Sequence, residues 1–183
     1  MFACLYGQGD LKALAAEFSP LVEQTACDTV TFDISGLDRL FGLPQEIAAA
    51  IVRRAGERGA ACFADSGVRG LALASNPDAA ICAARGFPRL SIVPYGDEGK
   101  FLGPLPLRQL GPSRELAETL ERWGIRRFQE LAALPPLGIA ERLGPEGLRL
   151  VNPPVLQHAL TGAIDFAEIF AELDRSGKAG RKD

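Results

Sequence analysis

The chain is poor in the residues from which many hydrolytic and metal sites are built. It has one histidine, His158, so a histidine–carboxylate catalytic pair has little material, and His158 reads as a surface or capping residue. Its four cysteines, Cys4, Cys27, Cys62 and Cys82, lie far apart and form no CxxC. That spacing argues against a zinc site or a disulfide framework and for reduced, buried thiols. No apolar run approaches about 20 residues and no signal-peptide pattern opens the chain, so the expectation is a cytoplasmic protein without membrane contact. The formal net charge is only −3, so any contact with nucleic acid must come from a local basic patch. Gly7 and Gly9 do not extend to a phosphate loop, because Lys12 stands where the third glycine would be.

What is present is a folded chain: 47% hydrophobic and 23% charged over 183 residues, enough for one ordinary domain or two small ones. Residues 2–6 read as a buried strand. Asp10 caps a helix over 11–18 with Leu11, Leu14, Ala15 and Phe18 on one face. Residues 21–26 and 30–34 form the arms of a hairpin, with Asp28 at the bend and Asp33 at the far end of the second arm. Leu43-Pro44 opens a helix with Ile47, Ile51 and Ala55 inside and Arg53, Arg54 and Arg58 in water. Residues 59–67 read equally as its extension or as a loop. A strand at 68–74, a helix from Asn76-Pro77 to about Arg85 and a strand at 90–93 follow. The order is β-α-β-β-α-β with a further α-β, which predicts an α+β, ferredoxin-like sheet.

Composition shifts at 102–106, LGPLP, which reads as a rigid linker. Beyond it the pattern is helical. Ser113 caps a helix carrying Leu116, Leu120 and Trp123; Gly124-Ile125 turns the chain; Phe128, Leu131 and Leu134 mark the next helix. Pro135-Pro136 and Gly144-Pro145 are breaks. Ile164, Phe166, Ile169, Phe170 and Leu173 give a final amphipathic helix, and SGKAGRKD reads as a disordered end. The expected domains are therefore 1–102, 103–152 and a tail, 153–183.

An acid presented at a hairpin bend suits metal-dependent phosphoryl transfer, which needs several carboxylates converging on two divalent ions. The plainer alternative makes Asp28 a turn residue and Asp33 the cap of the next loop. The string VEQTACDTVTFDIS resembles the catalytic hairpin of Y-family (UmuC/DinB-like) translesion DNA polymerases: Glu23, Asp28, Phe32, Asp33, Ile34 and Ser35 fall on its pattern without a gap. The continuation GLDRLFG is similar to the ImuB-like branch, regarded as polymerase-derived and catalytically degenerate. ALASNPDAAICAARG looks like the palm segment after the hairpin, its small residues letting a helix pack close to the sheet. LAETLERWGIRRFQELAALP resembles the helix-hairpin-helix of Y-family thumbs, and ERLGPEGLRL a later thumb segment.

The departures carry as much meaning. Thr29 stands where the resemblance implies a catalytic Glu, and Ala26 where it implies Ser. LYGQGD offers no acid at the end of the first strand, where the family has a metal-binding Asp, and Asp10 lies too far along to serve. The interval to the hairpin is too short for a fingers subdomain, and the tail does not resemble a little finger. Asp28 is then the one remaining acid of three, a catalytic remnant and the sole candidate metal ligand. One carboxylate cannot hold two hydrated Mg²⁺ ions, so no cofactor is expected and Mg²⁺ would bind only if the site survived.

The resemblance implies a partial palm followed by a helix-hairpin-helix thumb. Its function would be that of a catalytically inactive, DNA-binding accessory factor in DNA repair or damage-induced (SOS) translesion synthesis. Gly124, Ile125, Arg126, Arg127 and Gly144 are the candidate DNA-binding residues, since a glycine turn beside a helix N-terminus offers N–H groups to phosphate oxygens. Over residues 103–152 seven Arg stand against six Glu, so such binding would be weak and salt-sensitive. Implied partners are primer–template or damaged DNA, a replicative polymerase, the sliding clamp or a RecA-like accessory protein. LDRLF at 37–41 has the ending of a clamp-binding peptide, although Leu40 and Phe41 are expected in the core. Two alternatives stand beside this reading: a residual metal-dependent nucleotidyltransferase using Asp28 with Asp33 and Asp10, and a protein-interaction module that does not touch DNA. A decayed or mis-delimited reading frame is a further one.

Overall fold

The computed structural model describes residues 1–60, 62–63, 67–135 and, beyond these, 138–139, 142–144, 147 and 150. Five strands form one sheet: β1 (Phe2–Gly7), β2 (Val22–Ala26), β3 (Thr29–Asp33), β4 (Val68–Ala74) and β5 (Arg89–Ile92), in the order β2-β3-β1-β4-β5. The first four strands pair antiparallel, and β5 joins β4 in parallel. This is the ferredoxin-like order with one strand added, as the element pattern predicts.

The sheet is buried on both sides because β1 alternates between two cores. Ala3 and Leu5 join one cluster with α1 (Leu11–Ala16) and α3 (Pro44–Glu57). Cys4, flanked by Phe2 and Tyr6, joins the other with α4 (Pro77–Gly86). The helices follow their local signals. Asp10 accepts the Ala13 N–H at 3.0 Å and starts α1. Ile47, Ile51 and Ala55 are the buried stripe of α3, and each large side chain so enclosed contributes about 1.5–3 kcal/mol. Asn76 caps α4 through the Ala79 N–H at 2.8 Å. Ala79, Ala80, Ala83 and Ala84 let α4 lie so close that a Cβ on Gly70 would sit 2.0 Å from the Ala84 carbonyl oxygen.

Three sequence expectations are corrected here. Leu40 is 79% exposed: α2 (Asp38–Phe41) is one turn long, and Leu37 and Phe41 occupy its narrow inward face. Trp123 is 45% exposed, because α6 (Arg114–Arg122) ends there and Gly124, at φ +78°, turns the chain away. Residues 102–106, read as a rigid linker, are instead packed into a hydrophobic cluster. Leu102 closes α5 (Glu98–Leu102), and Leu102 and Leu105 are buried in one cluster with Leu116, Leu120 and Phe128. The same stretch accepts the N–H groups of Phe128 and Gln129, which open α7 (Phe128–Ala132), on the carbonyls of Leu105 and Gly103. Of the two readings of residues 59–67, the helical one is excluded: α3 ends at Glu57, and Gly59 at φ +74° breaks it. The amphipathic tail, His158 and half of the second thumb-like segment lie outside the described residues.

Candidate functional site

The β2–β3 bend sits beside the end of β1. Tyr6 stands opposite Thr29 in the ladder, and the Gly7 N–H donates to the Asp28 carbonyl at 2.9 Å. The Asp28 carboxylate is occupied. Its Oδ1 accepts the Thr29 hydroxyl at 2.9 Å and the Arg85 guanidinium at 3.2 Å. Partial burial works against its ionisation, but the Thr29 hydroxyl and Arg85 prevail and hold the carboxyl below its ordinary range. Arg85 also lies over the Tyr6 ring at 5.7 Å, and Arg69 lies over it at 5.3 Å.

The other acids are elsewhere. Asp33 closes the opposite end of β3, roughly 16 Å away at strand spacing. It accepts the Ser35 hydroxyl and N–H at 2.6 and 2.8 Å, bonds that lower its pKa, and caps the loop as the plain reading has it. Asp10 is committed to α1. The structure therefore does not bring Asp28, Asp33 and Asp10 together. Among the described residues no group of three His, Cys, Asp or Glu side chains is placed to hold a metal ion.

At the other candidate site, Gly124 takes the left-handed conformation and Ile125 is buried, while Arg126 and Arg127 are exposed. The N–H groups of the turn are all satisfied within the chain. Gly124 donates to Glu121, Ile125 to Leu120 and Phe128 to Leu105, each through a main-chain carbonyl. Arg126 and Arg127 both donate to Glu130 Oε2, at 2.6 and 3.0 Å, and these bonds draw the Glu130 pKa down. Gly144, at φ +60°, belongs to the later break. The remaining basic face, on α3, is partly neutralised: Arg54 and Arg58 both pair with Glu17.

No family model matches the chain. It is 30% identical over 143 residues to DNA polymerase IV of Dehalococcoides mccartyi, covering 76% of this chain and 35% of that protein. It is 31% identical over 127 residues to Protein ImuB of Caulobacter vibrioides, covering 69% of this chain and 26% of that one. A Y-family DNA polymerase chimera of Dbh and Dpo4 shares the fold at a TM-score of 0.56 and 16% identity, over 85% of this chain and 44% of that one. The chain is related to the Y-family DNA polymerases. It spans between 26% and 35% of the length of these two curated relatives.

A Y-family palm implies two divalent ions at the Tyr6–Asp28 end, and the residues there do not fit them. Two ions need shared carboxylates. Here one carboxylate is shared between a hydroxyl and the Arg85 guanidinium, and Tyr6 is flanked by that guanidinium and by Arg69 rather than by acids. Sequence reasoning found Asp28 and missed Arg69, Arg85 and Tyr6. They come from a strand, a helix end and another strand, and no local pattern couples them. Among the described residues no helix is long and apolar enough to cross a membrane.

Proposed function

We propose that this chain is a non-catalytic, ImuB-like member of the Y-family group, a DNA-binding accessory factor in repair or translesion synthesis. The single observation that carries the loss of catalysis is the Asp28–Arg85 pair: the acid expected to receive a metal ion is held by a guanidinium, with Thr29 beside it. In this reading residues 1–102 serve as a palm-like unit and 103–152 as a thumb-like helix-hairpin-helix unit, with 153–183 as an amphipathic helix and tail. The thumb-like unit holds the phosphate backbone of duplex DNA around Gly124, Ile125, Arg126, Arg127 and Gly144. Because Glu130 already fills the N–H groups of the turn, the contact is made chiefly by the Arg126 and Arg127 side chains. The location is cytoplasmic, and a replicative polymerase, clamp or RecA-like protein would be the natural company.

The test is fluorescence-anisotropy binding of a primer–template duplex at low and moderate salt, with primer extension in Mg²⁺ and Mn²⁺ alongside. Salt-sensitive binding that the Arg126→Glu/Arg127→Glu variant loses, with no extension, is the expected result. Extension abolished by Asp28→Ala would overturn the non-catalytic reading. A second reading, a protein-interaction module, is favoured by the internal capping of the turn, and duplex binding unmoved by the charge reversal would select it.

A further inference from the structure

The end of the sheet where Asp28 sits opens into a cleft of roughly 410 Å³ whose lining includes Tyr6, Arg69, Arg85, Phe87 and Arg89. Two backbone features and one ring contact build it. Gly7 pairs with Val68 and Tyr6 with Gly70, so Arg69 is the extra residue of a β-bulge. A bulge re-aims the side chain it carries, and here that side chain lies over Tyr6. Arg89 begins β5 at φ +72°, a conformation costly for any residue with a Cβ and one that tends to persist at binding sites. Phe87 is braced edge-on by Phe101, with ring centres 5.1 Å apart, and fixes one wall.

The charges do not balance. None of the ion pairs among the described residues involves Arg69 or Arg89. The Arg69 Nε is buried with no hydrogen-bond partner, although a buried donor of this kind is normally satisfied. Asp28 offsets Arg85 alone. Among the described residues, three guanidinium groups stand against one carboxylate at the cleft, and two of the positive charges have no carboxylate partner there. The cleft is approached from the C-terminal end of α4, whose carbonyls disfavour an anion; Arg85, in the last turn, counters that field.

We infer that this cleft binds a phosphate monoester without a metal ion, its dianion matching the two uncompensated charges and accepting from the Arg69 Nε. Guanidinium forks suit phosphate oxygens in pairs, and the Tyr6 ring holds two of the forks in place. The phosphate could belong to a free mononucleotide or to the phosphorylated end of a DNA strand, and the chemistry of the cleft serves both. The inference is independent of the role proposed for the Gly124 turn.

Isothermal titration of the full chain with inorganic phosphate, at low ionic strength and with EDTA present, tests it. Saturable binding is expected, weakened about tenfold or more by Arg69→Gln, since a charge-assisted hydrogen bond is lost. Arg89→Gly guards against a folding artefact. Glycine adopts the positive φ freely, so the melting temperature should hold or rise while phosphate binding falls. Adenosine monophosphate and a 5′-phosphorylated oligonucleotide, compared with its 5′-hydroxyl form, identify the source: the phosphorylated probe that binds tighter is the ligand class. No saturable binding up to millimolar phosphate, binding unchanged in both variants, or acetate bound as tightly as phosphate would each overturn the inference. Arg126→Glu/Arg127→Glu should leave phosphate binding intact, and Arg69→Gln should leave binding of a duplex with 5′-hydroxyl ends intact, so the two proposals fail separately.

Discussion

The Gly124 turn and the Tyr6 cleft are opposites in how they are seen. The turn has the sequence of a phosphate site and an interior already satisfied, with Glu130 filling two of its N–H groups. The cleft has no motif, yet among the described residues it holds guanidiniums without a carboxylate partner and an unpartnered buried donor. The difference teaches that a motif reports a backbone path, whereas availability for a ligand is decided by which donors the rest of the chain has already used.

The largest effect that would break this contrast is Gly70→Ala. Its Cβ would meet the Ala84 carbonyl at 2.0 Å, so α4 must move away from the sheet and carry Arg85 with it. A loss of about 3 kcal/mol or more in urea unfolding is expected, with the cleft emptied of its phosphate affinity. A neutral result would mean that α4 seats less rigidly than its small residues suggest.

Glu130→Gln acts on the turn alone. It removes a negative charge and weakens the cap, so duplex affinity at low salt should rise about two- to five-fold, a surface-charge-sized effect. A fall in affinity would show instead that the cap organises the turn for binding. The folded-state pKa of Glu130 is depressed, so the stability it adds is present above its unfolded pKa and lost as pH falls through the folded value.

The smallest effect is the acid dependence of Asp28. Its folded pKa is also lowered, so its contribution is complete above about pH 4, near the unfolded value, and disappears as pH falls through the folded pKa. With the side chain 32% exposed, the contribution is below about 1 kcal/mol. Urea midpoints measured between about pH 5 and pH 3 should fall less steeply in Asp28→Asn. An identical slope would mean that Arg85 adds nothing to the folded state.

Much of the fold was legible because its signals are local. The caps at Asp10, Asn76 and Ser113, the α3 stripe and the hairpin arms each lie within a few residues of what they organise. Leu40 was expected in the core from the family match, which does not say that α2 is a single turn with a narrow inward face, and Trp123 proved to cap its helix because the pattern does not say where a helix stops. Half of the Glu130 cap was visible as an acid at the third helical position, but Arg127 at the capping position hid the pattern.

By itself the sequence determined the order of strands and helices, the family kinship, and the replacement of the expected catalytic acids by Thr29 and a strand end without a carboxylate. Only the tertiary structure decided what took their place. Tyr6, Arg69 and Arg85 meet because β1 pairs with β4, a bulge turns Arg69, and α4 crosses back over the sheet. Each of those steps joins residues distant in the chain, and a side chain's neighbours across a ladder depend on register, which no local window of sequence contains.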